Sequence, residues 1–476
     1  MSKYQYDLIV IGGGSGGLVA ARVAAALGAR TGLIDKERLG GDCLHYGCVP
    51  SKSLIHAAKI AQTARESAVL TVSGEEVPLQ IDMAKVTKRI EGIIERVGEA
   101  EQVYVTDVDV KFGHAEFQSA HELTLDGQTL TAQSFIIATG SRPKVPQLEG
   151  LQEVGYLTNE DVFDLMNLPP SLVIVGGGPI GVEMAQAFAR LGSQVTILQG
   201  PDRILPKEEP EVSQAVAEAL LRDGVKIVAG ARLNRVRKED GQKVVVAKRG
   251  YEEIELKADE IILALGRTPN TAGLNLEAAG IKYDAKGIKT NELLQTEAEN
   301  IYAIGDVIGG YLFTHVAAYQ GGVAVRNALV PIGRKKVDYR VVPWVTFTDP
   351  EAARVGMTEE EAMKQFGKVR VLRFPWKEID RAQAEGETDG FIKLILNEKG
   401  EEIYGAHLVG ARSGEMLAEV ALAMQHKLGI SGILATIHAY PTMATGLQNA
   451  AFEAYLESSA LSSSKKILRP ILSFRG

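Results

Sequence analysis

The stretch DLIVIGGGSGGLVAARVAAALGARTGLID, residues 7–35, decides the fold. It reads as an apolar strand, a glycine turn, an alanine-rich helix and a second strand ending on Asp35. Gly12-x-Gly14-x-x-Gly17 sits where strand passes into helix. There glycines permit a tight turn and let backbone N–H groups approach a pyrophosphate at the helix N-terminus. An acid at Asp35 can accept hydrogen bonds from ribose hydroxyls. The charge-poor run from Leu8 to Ala21 is too short to span a membrane and is crowded with glycine.

The pattern recurs. SLVIVGGGPIGVEMAQAFARLGSQVTILQ, residues 171–199, superposes Gly176, Gly178 and Gly181 on Gly12, Gly14 and Gly17, and Leu191-Gly192 on the helix-end pair Leu27-Gly28. Two copies of one βαβ unit imply two nucleotide-binding domains. At the acid position the second copy holds Gln199, with Arg203 and Lys207 nearby. An acid would favour NAD and a basic residue NADP, so the coenzyme stays open.

Working outward, 82–101 has helical periodicity, and 108–137 alternates as short antiparallel strands do. Leu168-Pro169-Pro170 marks the entry to the second unit. Residues 225–265 read as strands ending in the turn Gly266-Arg267-Thr268-Pro269-Asn270. From Trp344 onward, VPWVTFTD and GFIKLILN read as strands, followed by helices over 414–426 and 446–456, an α+β pattern. A serine-rich patch covers 458–464. The fold class is α/β: two Rossmann-like dinucleotide-binding domains plus a C-terminal α+β dimerisation domain.

The 476 residues exceed one ordinary core. A net charge of -8 on 52 basic and 60 acidic residues argues against a nucleic-acid partner. An apolar strand begins by Leu8, which leaves no room for a cleaved leader, and no stretch reads as a membrane span, so a cytoplasmic location is expected.

The chain has 2 cysteines, both in GGDCLHYGCVPSK, residues 40–52. The pair suggests catalysis, metal binding or chance. With no further cysteine a thiolate-rich metal site is disfavoured, and no metal is expected. In a regular helix five residues rise about 7.5 Å, beyond the reach of a disulfide, so a bridge requires an irregular helix start, which Gly47 and Pro50 allow. A helix N-terminus also favours thiolate. Redox chemistry is the preferred reading.

The two fingerprints, CLHYGCVPSK, Ala138-Thr139-Gly140-Ser141-Arg142-Pro143, GRTPN and Ile304-Gly305-Asp306 together resemble the class I pyridine nucleotide–disulfide oxidoreductases, the family that includes lipoamide dehydrogenase, glutathione reductase and mercuric reductase. The resemblance covers essentially the whole chain. It implies a homodimer with an FAD-binding domain (1–150), an NAD(P)-binding domain (151–275), a central domain completing the FAD site (276–342) and a C-terminal interface domain (343–476).

The resemblance further implies FAD contacts from Gly12, Gly14, Ser15, Gly16, Gly17, Asp35, Gly41, Asp42, Lys52, Thr139, Gly140, Ser141, Asp306 and Thr314. It implies contacts to NAD or NADP from Gly176, Gly178, Pro179, Ile180, Gly181, Gln199 and Gly266. Lys52 and Glu183 match the ion pair expected beside the flavin; without the family, Glu183 reads as an ordinary helix acid. Cys48 is the flavin-facing sulfur and Cys43 the sulfur that attacks substrate.

Disulfide-reducing members carry a C-terminal His-Pro-Thr-x-x-Glu, contributed from the partner subunit, whose His protonates the leaving thiolate. Here the segment reads His438-Ala439-Tyr440-Pro441-Thr442-Met443-Ala444-Thr445. Tyr440 stands at the His position and Thr445 at the Glu position. Tyrosine, with a pKa of about 10, is a poor base at neutral pH. His438 is the alternative acid–base. A tyrosine here resembles mercuric reductase, but the sequence ends LSFRG without that enzyme's vicinal cysteines, and Asp42 replaces the usual threonine.

The expected activity is FAD-dependent transfer of electrons between NAD(P)H and a disulfide or dithiol, small or carrier-bound, through Cys43 and Cys48. The alternatives are reduction of a quinone or metal ion, and a non-catalytic redox sensor.

Overall fold

The computed structural model describes residues 3–71 and 79–457, with isolated positions from 461 to 473. Most of the serine-rich patch and of the LSFRG end lies outside the described residues.

Strand β1 (Tyr6–Ile11), helix α1 (Ser15–Ala26) and strand β2 (Thr31–Asp35) form the first βαβ unit. β1 pairs in parallel with β2, Leu8 opposite Thr31, and with Gln128–Ile137, Leu8 opposite Ser134. Leu8, Ile9 and Val10 are fully buried. Layers cover both faces of this strand, so its apolar residues run on instead of alternating.

Residues 108–137 differ in part from the expected antiparallel set. Ala115–Ser119, Glu122–Leu125 and Gln128–Ile137 form a meander, but Asp109–Phe112 pairs in parallel with β2. A distant strand, Ile301–Ala303, joins the same sheet beside Gln128–Ile137. The helix that follows it, Thr314–Leu329, crosses α1 closely: a Cβ on Gly321 would meet the Gly16 carbonyl oxygen at 2.7 Å.

The second unit builds a parallel sheet in the order Lys226–Val228, Gln194–Leu198, Ser171–Val175, Glu260–Leu263. An antiparallel meander of Arg232–Glu239, Gln242–Arg249 and Glu252–Ala258 lies beside it. Within the GRTPN turn, Arg267–Pro269 pairs antiparallel with Ser141–Pro143, tying the two nucleotide units together.

The C-terminal part is a five-stranded antiparallel sheet, packed against Ser413–Gln425 and Thr445–Leu456 through Leu408, Leu417, Val420 and Leu447. No described helix is long and apolar enough to cross a membrane.

Candidate active site

The cysteine segment breaks into two helices, α2 (Gly41–His45) and α3 (Cys48–Thr71). The break falls at Tyr46-Gly47, and Gly47 makes it possible. A Cβ there would lie 2.9 Å from the Asp42 carbonyl oxygen and 3.0 Å from the Cys43 Cα. This irregularity brings the cysteines, which are free thiols in this structure, to the wall of one chamber.

Their surroundings split their acidities. Cys48 falls to about 6, chiefly because Cys43 hydrogen-bonds to it, with help from the Thr314 hydroxyl and the Lys52 ammonium. Cys43 moves upward, because it hydrogen-bonds to Cys48 and is buried. Of the two sulfurs, Cys48 is thus the more acidic. The Thr314 Oγ1 lies 3.5 Å from the Cys48 Sγ.

Both sulfurs line a cavity of about 1280 Å³, larger than the pockets of drug-sized ligands. Gly12, Gly14, Ser15, Gly16, Asp35, Gly41, Asp42, Lys52, Thr139, Gly140, Ser141, Asp306 and Thr314 line it, together with Pro179, Ile180, Glu183 and Gly266. The structure thus brings most of the sequence-derived residues to one chamber. Gly17 and Gly181 lie behind it as packing positions. A Cβ on Gly17 would sit 1.8 Å from the Gly12 carbonyl oxygen, and one on Gly181 1.8 Å from that of Gly176. Gly176, Gly178 and Gln199 also stay outside the chamber wall.

A flavin dinucleotide fits this lining. At the α1 turn Gly12 has a φ of +107°, and a Cβ there would meet the Ala138 carbonyl oxygen at 2.3 Å. Gly14 and Gly41 face each other so closely that a Cβ on Gly41 would lie 2.8 Å from the Gly14 Cα. These bare backbones and the α1 N-terminus form a cradle suited to a diphosphate. The Gly13 N–H donates to the Asp35 Oδ2 at 2.7 Å, fixing the acid at the end of β2.

On the opposite side Lys52 Nζ meets the Glu183 Oε2 at 2.8 Å, and the Phe347 N–H donates to the Glu183 Oε1 at 2.8 Å. Burial raises the Asp306 carboxyl, against the Ser141 hydroxyl and the Arg267 guanidinium.

Arg267, within the GRTPN turn, carries no functional signal in the sequence. Its Nη2 lies 2.9 Å from the Asp42 Oδ1, its Nε donates to the Ser141 Oγ at 2.6 Å, and Asp306 lies 3.5 Å away. Asp42, the substituted position, is therefore neutralised by an arginine from the second unit. Asn159, which donates to Asp42 and to the Tyr46 carbonyl, gave no signal in the sequence.

The C-terminal candidates lie apart from this chamber. Both His438 ring nitrogens face acceptors: Nε2 sits 2.9 Å from a Glu419 oxygen and Nδ1 2.9 Å from the Thr436 carbonyl oxygen. Tyr440 is 72% exposed, and its hydroxyl donates to Asp380 at 2.8 Å, which raises its pKa. His438 is committed, and Tyr440 faces outward.

Residues 6–321 match the family described as Pyridine nucleotide-disulphide oxidoreductase, and 342–451 match that family's dimerisation domain. The chain is 35% identical over 465 residues to a mercuric reductase of Staphylococcus aureus, covering 96% of this chain and 84% of the relative. It is 34% identical to a dihydrolipoyl dehydrogenase of Bacillus subtilis (strain 168), covering 94% and 98%. Among solved structures it resembles the HOCl-induced flavoprotein disulfide reductase RclA from Escherichia coli, with a TM-score of 0.84 and 31% identity over 94% of this chain and 99% of that one. A Cu(II) complex of that reductase matches equally, with a TM-score of 0.84. The dimerisation domain supports a homodimer, and the family and these relatives make the chain an FAD-dependent enzyme that uses NAD(P)H. On these grounds the chain belongs to the pyridine nucleotide–disulfide oxidoreductases.

Proposed function

We propose that this enzyme discharges electrons from the Cys43–Cys48 dithiol into a disulfide, on a small molecule or a carrier. The placement of Cys43 and Cys48 together on the cavity wall, with the Thr314 hydroxyl 3.5 Å from the Cys48 sulfur, carries this reading. The Cys43 thiolate, once its proton is lost, attacks one substrate sulfur and expels the other as a thiolate, which takes up a proton. The Cys48 thiolate then attacks the Cys43 sulfur, closing the pair and releasing the second substrate thiol. FAD held by these residues would supply the route for an electron pair between the nicotinamide coenzyme and the cysteine bridge.

The chain's own residues hold that arrangement. The fingerprint glycines, Asp35, Asp42, Thr139, Ser141 and Asp306 are proposed to seat FAD, and the second fingerprint the coenzyme. Lys52, held by Glu183, places a positive charge beside Cys48 and favours its thiolate. The units 1–150, 151–275, 276–342 and 343–476 are proposed as its domains. A reducing compartment such as the cytoplasm suits a pair that must cycle through free thiols.

A second reading is favoured by one observation: Tyr440 and Thr445 stand where a His–Glu dyad would protonate a leaving thiolate. An acceptor with no thiolate to expel, such as a soft metal ion or a quinone, needs no such acid. Mercuric reductases and a reductase solved with Cu(II) are among the similar proteins.

The test is steady-state NAD(P)H oxidation with disulfides, Hg(II), Cu(II) and quinones, in the parent and in Cys43→Ser, Cys48→Ser and Tyr440→Phe. Disulfide turnover lost in both cysteine variants supports the first reading. Disulfide turnover that survives removal of both cysteines contradicts it. Metal or quinone turnover that outruns every disulfide and is unmoved by Tyr440→Phe favours the second.

A further inference from the structure

The two βαβ units differ at the end of their second strand. In the first, the Asp35 carboxylate caps its glycine turn and the backbone after it, Oδ1 accepting from the Glu37 N–H at 3.0 Å. In the second, Gln199 occupies that place, 5% exposed. Its Oε1 accepts from the Gly177 N–H at 2.8 Å, and its Nε2 donates to the Arg203 carbonyl at 3.2 Å. The amide is spent inward, so this corner presents no carboxylate from the strand end to a ribose.

The nearby arginines divide into committed and free. Arg203 is turned inward, its Nη2 donating to the Pro206 and Glu208 carbonyls. Arg249 donates to the Ala229 carbonyl. Arg232 is exposed, and its guanidinium has no hydrogen-bond or ion-pair partner among the described residues.

Arg232 reaches this corner because the backbone brings it there. The Ala231 N–H donates to the Gln199 carbonyl, and the Gly230 N–H to that of Pro201. A Cβ on Gly200 would lie 3.5 Å from the Arg232 Cγ and 4.0 Å from its Nε. The arginine thus lies over the bare residue that directly follows the strand end. In a βαβ nucleotide unit, that is where the adenosine ribose sits. The acid of this turn, Asp202, is aimed at Gly230, its Oδ1 3.2 Å from where a Cβ would stand.

We propose that Arg232 receives the 2′-phosphate of an adenine dinucleotide, so that NADPH is the preferred coenzyme. This rests on the reading that residues 171–199 bind the nicotinamide coenzyme. A guanidinium can meet a phosphate through two parallel hydrogen bonds, and a ribose hydroxyl offers no charge to match it. Gln199 contributes by withholding the carboxylate that would repel that phosphate.

The test uses the FAD-loaded protein and two redox-silent probes, 2′,5′-ADP and 5′-AMP, titrated by calorimetry into the parent, Arg232→Ala and Arg232→Lys. In the parent, 2′,5′-ADP should bind on the order of tenfold tighter, the size expected of hydrogen bonds to a charged group. The gap should close in Arg232→Ala and persist in part in Arg232→Lys, with 5′-AMP affinity unchanged in both. No gap in the parent, or a full gap in Arg232→Ala, overturns the proposal. Anaerobic flavin reduction by NADH and NADPH separates the two readings. If neither coenzyme reduces the flavin, the function fails, while the adenylate comparison still judges Arg232. If NADH reduces it as readily as NADPH at equal low concentration, the preference fails and the function stands.

Discussion

Lys52 and Glu183, 131 residues apart in sequence, meet at 2.8 Å and join the cysteine helix to the second nucleotide unit. Glu183 is 4% exposed, whereas about a third of the Lys52 side chain faces the cavity. Removing the lysine strands a buried carboxylate; removing the glutamate leaves an ammonium that water can reach. Lys52→Met should therefore destabilise more than Glu183→Met, by about 3 kcal/mol against about 1–2 kcal/mol once the lysine's exposure is discounted. Denaturant midpoints measure the difference, and the reverse order would contradict the burial argument.

The two fingerprints separate by mutation. Gly17→Ala and Gly181→Ala each drive a Cβ into a carbonyl oxygen 1.8 Å away. Gly17→Ala should yield protein without flavin colour. Gly181→Ala should keep its flavin but lose reduction by NAD(P)H while still accepting electrons from dithionite. Absorbance spectra of the purified variants check both outcomes.

Much of this site is legible in the sequence because glycine spacing reports backbone contact. Gly12, Gly17, Gly176 and Gly181 are glycines for reasons of sterics that any βαβ turn shares. The Cys43–Cys48 spacing likewise demanded a helix break, and Gly47 supplies it. Less legible are features set by tertiary pairing. Ile301–Ala303 joins the first sheet from beyond the entire second nucleotide unit, and three apolar residues carry no address. Arg267 reads as turn chemistry in the sequence, because only the tertiary fold sets Asp42 beside it. His438 reads as an alternative acid–base because nothing in the sequence places Glu419 against it. Gln199 looked neutral toward the coenzyme, and only its inward hydrogen bonds show that it leaves the ribose corner to another residue.

The acidity of Cys48, lowered to about 6, sets a pH window. Above that pH the reduced pair carries a thiolate, and below it both sulfurs are protonated. In protein reduced by one electron pair, the long-wavelength absorbance of a thiolate stacked on flavin should fall with a midpoint near 6 as pH decreases. Cys43 is held as a thiol, so disulfide turnover should continue to rise on the alkaline side. A pH-independent band would contradict the assignment of charge.

His407 gives an acid limit to stability. It is fully buried, its Nε2 lies 3.1 Å from the Met357 carbonyl oxygen, and its Nδ1 has no hydrogen-bond partner among the described residues. Burial, with Arg354 nearby, pushes its pKa down to about 4. The unfolded chain binds this proton near pH 6.5 and the folded chain does not, so stability present at neutral pH is lost as pH falls from about 6.5 toward about 4. The expected loss at pH 5 is on the order of 2 kcal/mol. Denaturation at pH 7 and pH 5 in the parent and His407→Leu checks it, with the variant expected to lose less over the interval.

Anaerobic reductive titration of the flavin-loaded, oxidised protein tests the central claim most directly. The parent should take up one more electron pair than Cys43→Ser/Cys48→Ser before its flavin is fully bleached, and should show the long-wavelength band after the first pair. Equal uptake by the two proteins, with no such band in the parent, would contradict the account, because the cysteines would then stand outside the electron path.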